Sequence, residues 1–196
     1  MVRVGVLVLM HDKQATMTDW QDALGDTTTL QFFHPVSHPL AHPNPHIHPL
    51  ALATATHLDA FSITGAPIDR LDFTAVQYYP EVSRLIQALT AAGVPTLYSC
   101  WGALAALHTL YGIDKKMLPQ KLFGVFAHQQ LAETPLLQGL PARFQAPHAR
   151  YTDVDATSLA AHATLFATTP AGAPMLAGRP DGRQTFLFAH LEYRRW

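Results

Sequence analysis

The 196-residue chain has one cysteine, charge on only 14% of its positions, and no apolar run long enough to cross a bilayer. Each scarcity excludes something. A single thiol cannot close an internal disulfide, so a covalently stapled secreted scaffold is excluded and a reducing compartment, the cytoplasm, is expected. The apolar stretch from Val4 to Met10 is too short for a membrane span and lacks a small-residue cleavage site, so it reads as a first strand. With 13 basic against 14 acidic residues and no basic block, nothing marks nucleic acid or an anionic membrane as a partner. What remains is the size of one domain over residues 1–196, with a single core.

The apolar pattern gives that domain its class. "VRVGVLVL" is a β-branched run of the kind buried on both faces of a parallel sheet. "ATMTDWQDALG" suits a short helix stopped at Gly25, and "TTTLQFF" a second strand. "HLDAFSITGAP" runs from a strand into a turn, and "AVQYYPEVSRLIQALTAAG" carries apolar residues at helical spacing. "VPTLYS" is again a strand, with the helix "ALAALHTLYG" after it. This alternation predicts βαβ units and an α/β fold with a mostly parallel sheet. "KLFGVFAHQQL", "RFQAPHARYTDV", "ATLFATTPAGAPMLAGR" and "RQTFLFAHLEYRRW" then read as strands and turns that complete it. No internal repeat or linker interrupts the chain.

One segment stands apart. "HPVSHPLAHPNPHIHP" has too many prolines for a helix or central strand and predicts a loop over residues 34–49. Its five histidines, His34, His38, His42, His46 and His48, are of a type that binds transition metals. No cysteine or zinc-type spacing accompanies them, so the expectation is a solvated loop and no metal site.

The lone thiol is the first candidate for chemistry. In "TLYSCWGALAALHTLYG", Cys100 falls where a strand gives way to a helix, the place where open α/β sheets carry their sites. A helix N-terminus favours the thiolate. Gly102 permits close backbone approach, and Ala103, Ala105 and Ala106 let the helix pack tightly on the sheet. The pattern is a cysteine version of the strand–nucleophile–helix elbow. A buried cysteine acting as a small hydrophobe would read the same way, and both readings stand at this point. A partner base comes from "TFLFAHLEYRRW", where His190 and Glu192 would share one side of an extended segment, the carboxylate fixing the imidazole. A surface histidine beside a solvated glutamate is the alternative.

These blocks, with "SITGAPIDRLDFTAVQYYPEV", "QKLFGVFAHQQL" and "APHARYTDV", resemble in order the homoserine O-acyltransferases that open methionine biosynthesis. The resemblance runs from about residue 60 to the end, with a weaker match at "VLVLMHDK". It implies a single-domain class I glutamine-amidotransferase-like (flavodoxin-like) sandwich. It further implies Cys100 as acyl-thioester nucleophile, His190 as general base and Glu192 as its orienting carboxylate. The backbone N–H groups of Trp101 and Gly65 would form the oxyanion hole. Lys121 would touch substrate, though a lone lysine also reads as a solvated surface charge. Asp69 would help select the acyl donor; an aspartate there repels a succinyl carboxylate and favours acetyl-CoA over succinyl-CoA, unless it is only a turn residue. Acyl-CoA and homoserine would be small-molecule substrates, with no bound cofactor, and a homodimer is left open.

The sequence departs from that family in places. Ala149 stands where the family has a serine that touches the amino acid, while Arg150 remains. The family arginine for the substrate carboxylate comes from a segment beyond Trp196; Arg194 or Arg195 would substitute, or be ordinary terminal charges. Serine, one methylene shorter than homoserine, is therefore an alternative acceptor, as in L-serine O-acetylation for cysteine biosynthesis. A glutaminase would follow its cysteine with G-x-Q, which "CWGALAAL" lacks. A non-catalytic binding protein on the same fold is the remaining alternative.

Overall fold

The computed structural model describes residues 1–192; Arg194 and Arg195 lie outside them. The chain opens with strand β1 (Val2–Leu7) and helix α1 (Lys13–Leu24), whose N-cap Asp12 accepts from the Ala15 N–H and which ends at Gly25. Strands β2 (Thr28–His34) and β3 (Ile47–Pro49) follow, then the one-turn helix α2 (Leu52–Ala55) and strand β4 (Ala60–Ile63). Helix α3 (Tyr79–Ala92), strand β5 (Thr96–Ser99) and helix α4 (Trp101–Tyr111) complete the first half. The second half holds a long hairpin of β6 (Lys115–Gln130) and β7 (Arg143–Val154), the short helix α5 (Ala156–Ala160), and strands β8 (Thr164–Thr168), β9 (Pro174–Gly178) and β10 (Gln184–Leu187).

All ten strands join one sheet in the order β3-β2-β1-β4-β5-β10-β9-β8-β6-β7. The pairs from β3 to β10 are parallel, and those from β10 to β7 antiparallel. The β-branched first strand explains the layering. Val4, Val6 and Val8 face α1 with Met17, Phe32 and Ile47, while Leu7 and Leu9 face the larger core under α3 and α4. In α3, Val82, Leu85, Ile86 and Leu89 recur at helical spacing and are fully buried, each contributing roughly 1.5–3 kcal/mol of transfer free energy. A third cluster, with Phe166, Met175, Leu176 and Ala189, underlies the antiparallel strands.

The proline-rich segment differs from its prediction at one end. Its last residues form β3, because Ile47 inserts into the α1 cluster and Pro49, at the sheet edge, needs no ladder donor. The rest of the loop is fastened to α3, where Glu81 accepts from the N–H groups of Val36 (2.7 Å) and Ser37 (2.9 Å). Among the described residues no group of three His, Cys, Asp or Glu side chains is placed to hold a metal, and no helix is long and apolar enough to cross a membrane.

Candidate active site

Parallel strands β1, β4 and β5 all end at one edge of the sheet, and Cys100 sits there, immediately after β5. Its backbone adopts φ 47° and ψ −112°, and among the described residues it is the one non-glycine with positive φ. Such a conformation costs about 1–3 kcal/mol and needs its surroundings to hold it. Three bonds do so. The Cys100 N–H donates to the Leu187 carbonyl of β10 (2.7 Å), and the Cys100 carbonyl accepts from Ala103 (3.0 Å) and Leu104 (3.1 Å) in the first turn of α4.

Two glycines make the elbow fit. A Cβ on Gly102 would lie 2.6 Å from the Ile63 carbonyl oxygen, so only glycine lets α4 sit on the end of β4. A Cβ on Gly65 would lie 3.1 Å from Cys100 Cβ and 3.8 Å from its Sγ, which puts the turn after β4 against the thiol. Thr64 holds this turn, its hydroxyl accepting from the Leu9 N–H (2.9 Å) and donating to the Gly65 carbonyl (3.1 Å). Trp101, the first residue of α4, is fully buried with its ring edge-on to Tyr78. Its N–H has no intrahelical acceptor.

His190 arrives from the neighbouring strand. Because β10 lies parallel beside β5, the segment leaving β10 emerges next to Cys100. His190 is 7% exposed and stands close enough to Cys100 for the two to interact, and its Nδ1 donates to Glu192 Oε1 at 2.7 Å. The predicted extended segment is instead a turn at Leu191 and Glu192, and the turn closes the imidazole–carboxylate contact. Burial disfavours a charged ring, but the interactions of the ring with Cys100 and Glu192 outweigh it and raise the His190 pKa to about 10. Sulfur, imidazole and carboxylate thus follow one another, with the imidazole held by the carboxylate on one side and facing the thiol on the other, an arrangement suited to generating a nucleophile.

This line opens on a cavity of about 660 Å³. Its floor is Thr64, Gly65, Leu97, Ser99, Cys100 and Leu187, and its far wall is α1 with Asp12, Thr16, Asp19, Trp20 and Ala23. The α1 wall went unrecognised in the sequence. Asp12, Thr16, Asp19 and Ala23 share one helical stripe, but a polar stripe on a short helix reads as a solvated face.

Four expected substrate contacts are not in this cavity. Asp69 is buried with its carboxylate turned to β7, accepting from the Tyr151 N–H (2.7 Å) and the Thr152 hydroxyl (3.3 Å), so it pins a turn instead of facing an acyl group. Lys121 is exposed on β6 with its ammonium over the rings of Phe123 and Tyr151. Ala149 is half-buried on β7, opposite Phe123. Arg150 is 2% exposed and its guanidinium is engaged internally, donating to His148, Phe188, Asp153 and Pro174; the expectation of an available arginine is corrected.

The family model for homoserine O-succinyltransferase matches residues 1–196. The chain belongs to that family of acyltransferases. A serine O-acetyltransferase from Lacticaseibacillus casei is 38% identical over 205 residues, covering 100% of this chain and 76% of the relative. A homoserine O-acetyltransferase from Bacillus thuringiensis subsp. konkukian is 38% identical over 138 residues, 69% of this chain and 46% of that protein. Among solved structures, a glutamine amidotransferase from Thermotoga maritima superposes with a TM-score of 0.71 at 15% identity, covering 97% of this chain and 76% of that one. The fold is therefore the class I glutamine-amidotransferase sandwich, and family membership sets aside the non-catalytic reading.

Proposed function

We propose that this acyltransferase moves an acetyl group from acetyl-CoA to the hydroxyl of L-homoserine through a thioester on Cys100, in the cytoplasmic synthesis of methionine. The observation that carries the reading is the grouping of Cys100, His190 and Glu192 at the end of β5, with His190 Nδ1 donating to Glu192, in a chain of this family. Sγ attacks the thioester carbonyl of the donor. The carbon–sulfur bond to coenzyme A breaks, and His190 passes its proton to the departing thiolate. The N–H groups of Trp101 and Gly65 are the proposed donors to the oxyanion.

Acylation removes the negative charge on Cys100, one of the two influences that hold the proton on His190. The ring is thereby freed to act as a base. It takes the proton from the acceptor hydroxyl, whose oxygen attacks the thioester, and Sγ leaves to regenerate the starting pair. Glu192 keeps Nδ1 as the donor to itself, so Nε2 performs both transfers. Acetyl is favoured over succinyl because the relative matched over the whole chain carries acetyl in its name. No step calls for a bound cofactor.

A second acceptor is supported by a specific observation. The serine O-acetyltransferase matches the whole chain, whereas the homoserine enzyme matches 69% of it. Intact-mass measurement decides. Acetyl-CoA should leave an acetyl adduct that Cys100→Ser lacks, succinyl-CoA should leave none, and homoserine should discharge it. Discharge by serine alone would transfer the enzyme to cysteine synthesis, and no adduct with either donor would end the proposal.

A further inference from the structure

On the buried face of the β6–β7 hairpin lie three ionisable side chains for which the reaction above has no use: His128 (1% exposed), His148 (0%) and Arg150 (2%). The register explains how they meet. Gly124 is opposite His148 and Ala146 opposite Phe126, and these small residues leave room for the two imidazoles to approach, Nε2 to Nε2, at 2.8 Å. Phe144 stacks on His128 and Phe126 stands edge-on to His148. One terminal nitrogen of Arg150 donates to His148 Nδ1 (2.6 Å) and to the Phe188 carbonyl (2.9 Å). The other donates to Asp153 (2.9 Å) and to the Pro174 carbonyl (3.1 Å).

The donors fix the protons. A guanidinium only donates, so Nδ1 of His148 accepts and the ring proton sits on Nε2. That proton is given to Nε2 of His128, whose own proton is therefore on Nδ1. A second proton on either ring would set two donors face to face. Burial, then the Arg150 charge, also keeps His148 neutral and lowers its pKa to about 3; burial foremost lowers that of His128.

This chain of bonds ends on the segment that carries His190. Arg150 holds the carbonyl of Phe188, and the His190 N–H donates to the carbonyl of Pro147, the residue before His148 (2.8 Å). Both ends of residues 188–190 are thus fastened to β7. We infer that Arg150, aligned by His148 and His128, is a positioning residue that sets the His190 ring against Cys100, and is not a contact for the acceptor. The inference rests on Cys100 and His190 being the reacting pair.

Alkylation of Cys100 by iodoacetamide tests it without any acyl donor or acceptor. Arg150→Lys keeps the charge and loses the fork; alkylation at pH 7 should fall about ten-fold or more, because misalignment degrades reactivity steeply. Acylation by acetyl-CoA and discharge should fall together, with the acceptor KM unchanged within about two-fold. His148→Gln can still accept from Arg150 and donate to His128, so it should alkylate as wild type, whereas His148→Leu should fall with Arg150→Lys. Should Arg150→Lys not fold by circular dichroism, the two His148 variants carry the test alone. Wild-type alkylation in Arg150→Lys with only the acceptor KM raised would make Arg150 a substrate contact and overturn the inference; so would equal rates in the two His148 variants. Alkylation unaffected by His190→Gln would overturn the reacting pair itself, and the clamp with it.

Discussion

The Glu192 carboxylate accepts from His190 Nδ1 at 2.7 Å across a single intervening residue, and its side chain is 41% exposed while that of the histidine is 10% exposed. The carboxylate therefore meets water on one side and the ring on the other. Glu192→Gln keeps the shape but presents an amide that can also donate, which permits the wrong tautomer. Turnover should drop about 10²-fold, less than for a fully sequestered carboxylate, because water can partly replace it. Steady-state kinetics with an unchanged melting temperature is the check.

The left-handed backbone at Cys100 separates chemistry from stability. Cys100→Gly and Cys100→Ala should both be inactive, but glycine relieves the positive φ and alanine does not. The glycine variant should be the more stable by about 1 kcal/mol, read as a higher denaturant midpoint with the same slope.

Gly65 and Gly102 should respond differently to one added methyl. At Gly102 the methyl meets backbone 2.6 Å away, which cannot yield cheaply, so Gly102→Ala should destabilise by about 2 kcal/mol or more. At Gly65 it meets the Cys100 side chain, so Gly65→Ala should leave melting nearly unchanged and slow acylation. Thermal melts beside single-turnover acylation distinguish the two.

Two histidines shift in opposite directions and give opposite pH signatures. His190 is raised from 6.5 to about 10, so its stabilisation is whole below pH 6.5 and is lost as pH rises through about 10. His148 is lowered from 6.5 to about 3, so its share is whole above 6.5 and is lost as pH falls toward 3. From pH 7 to 10 the wild type should lose more melting temperature than His190→Gln. From pH 7 to 5 it should lose about 2 kcal/mol more than His148→Gln.

Most of the parallel half was legible from its residues. The β-branched run of β1, the spaced apolar side chains of α3, and the strand-to-helix change at Cys100 each follow from local pattern. His190 and Glu192 were legible as a pair, although their turn was not, because a turn of two residues carries no periodicity. Arg150 and Asp69 show the limit. The motif brought them forward as substrate contacts, yet whether a side chain faces a cavity or its own hairpin is decided by cross-strand register, which a one-residue shift reverses. His128 and His148 fell to the same cause: twenty positions apart in sequence, they meet only through the hairpin.

The strand before His190, β10, is the last one among the described residues, and it inserts between β5 and β9, within the sheet and not at its rim. His190 therefore comes beside Cys100 only when β10 is paired with β5. The same pairing supplies the Leu187 carbonyl that holds the Cys100 N–H, so closing the centre of the sheet and completing the elbow are one event.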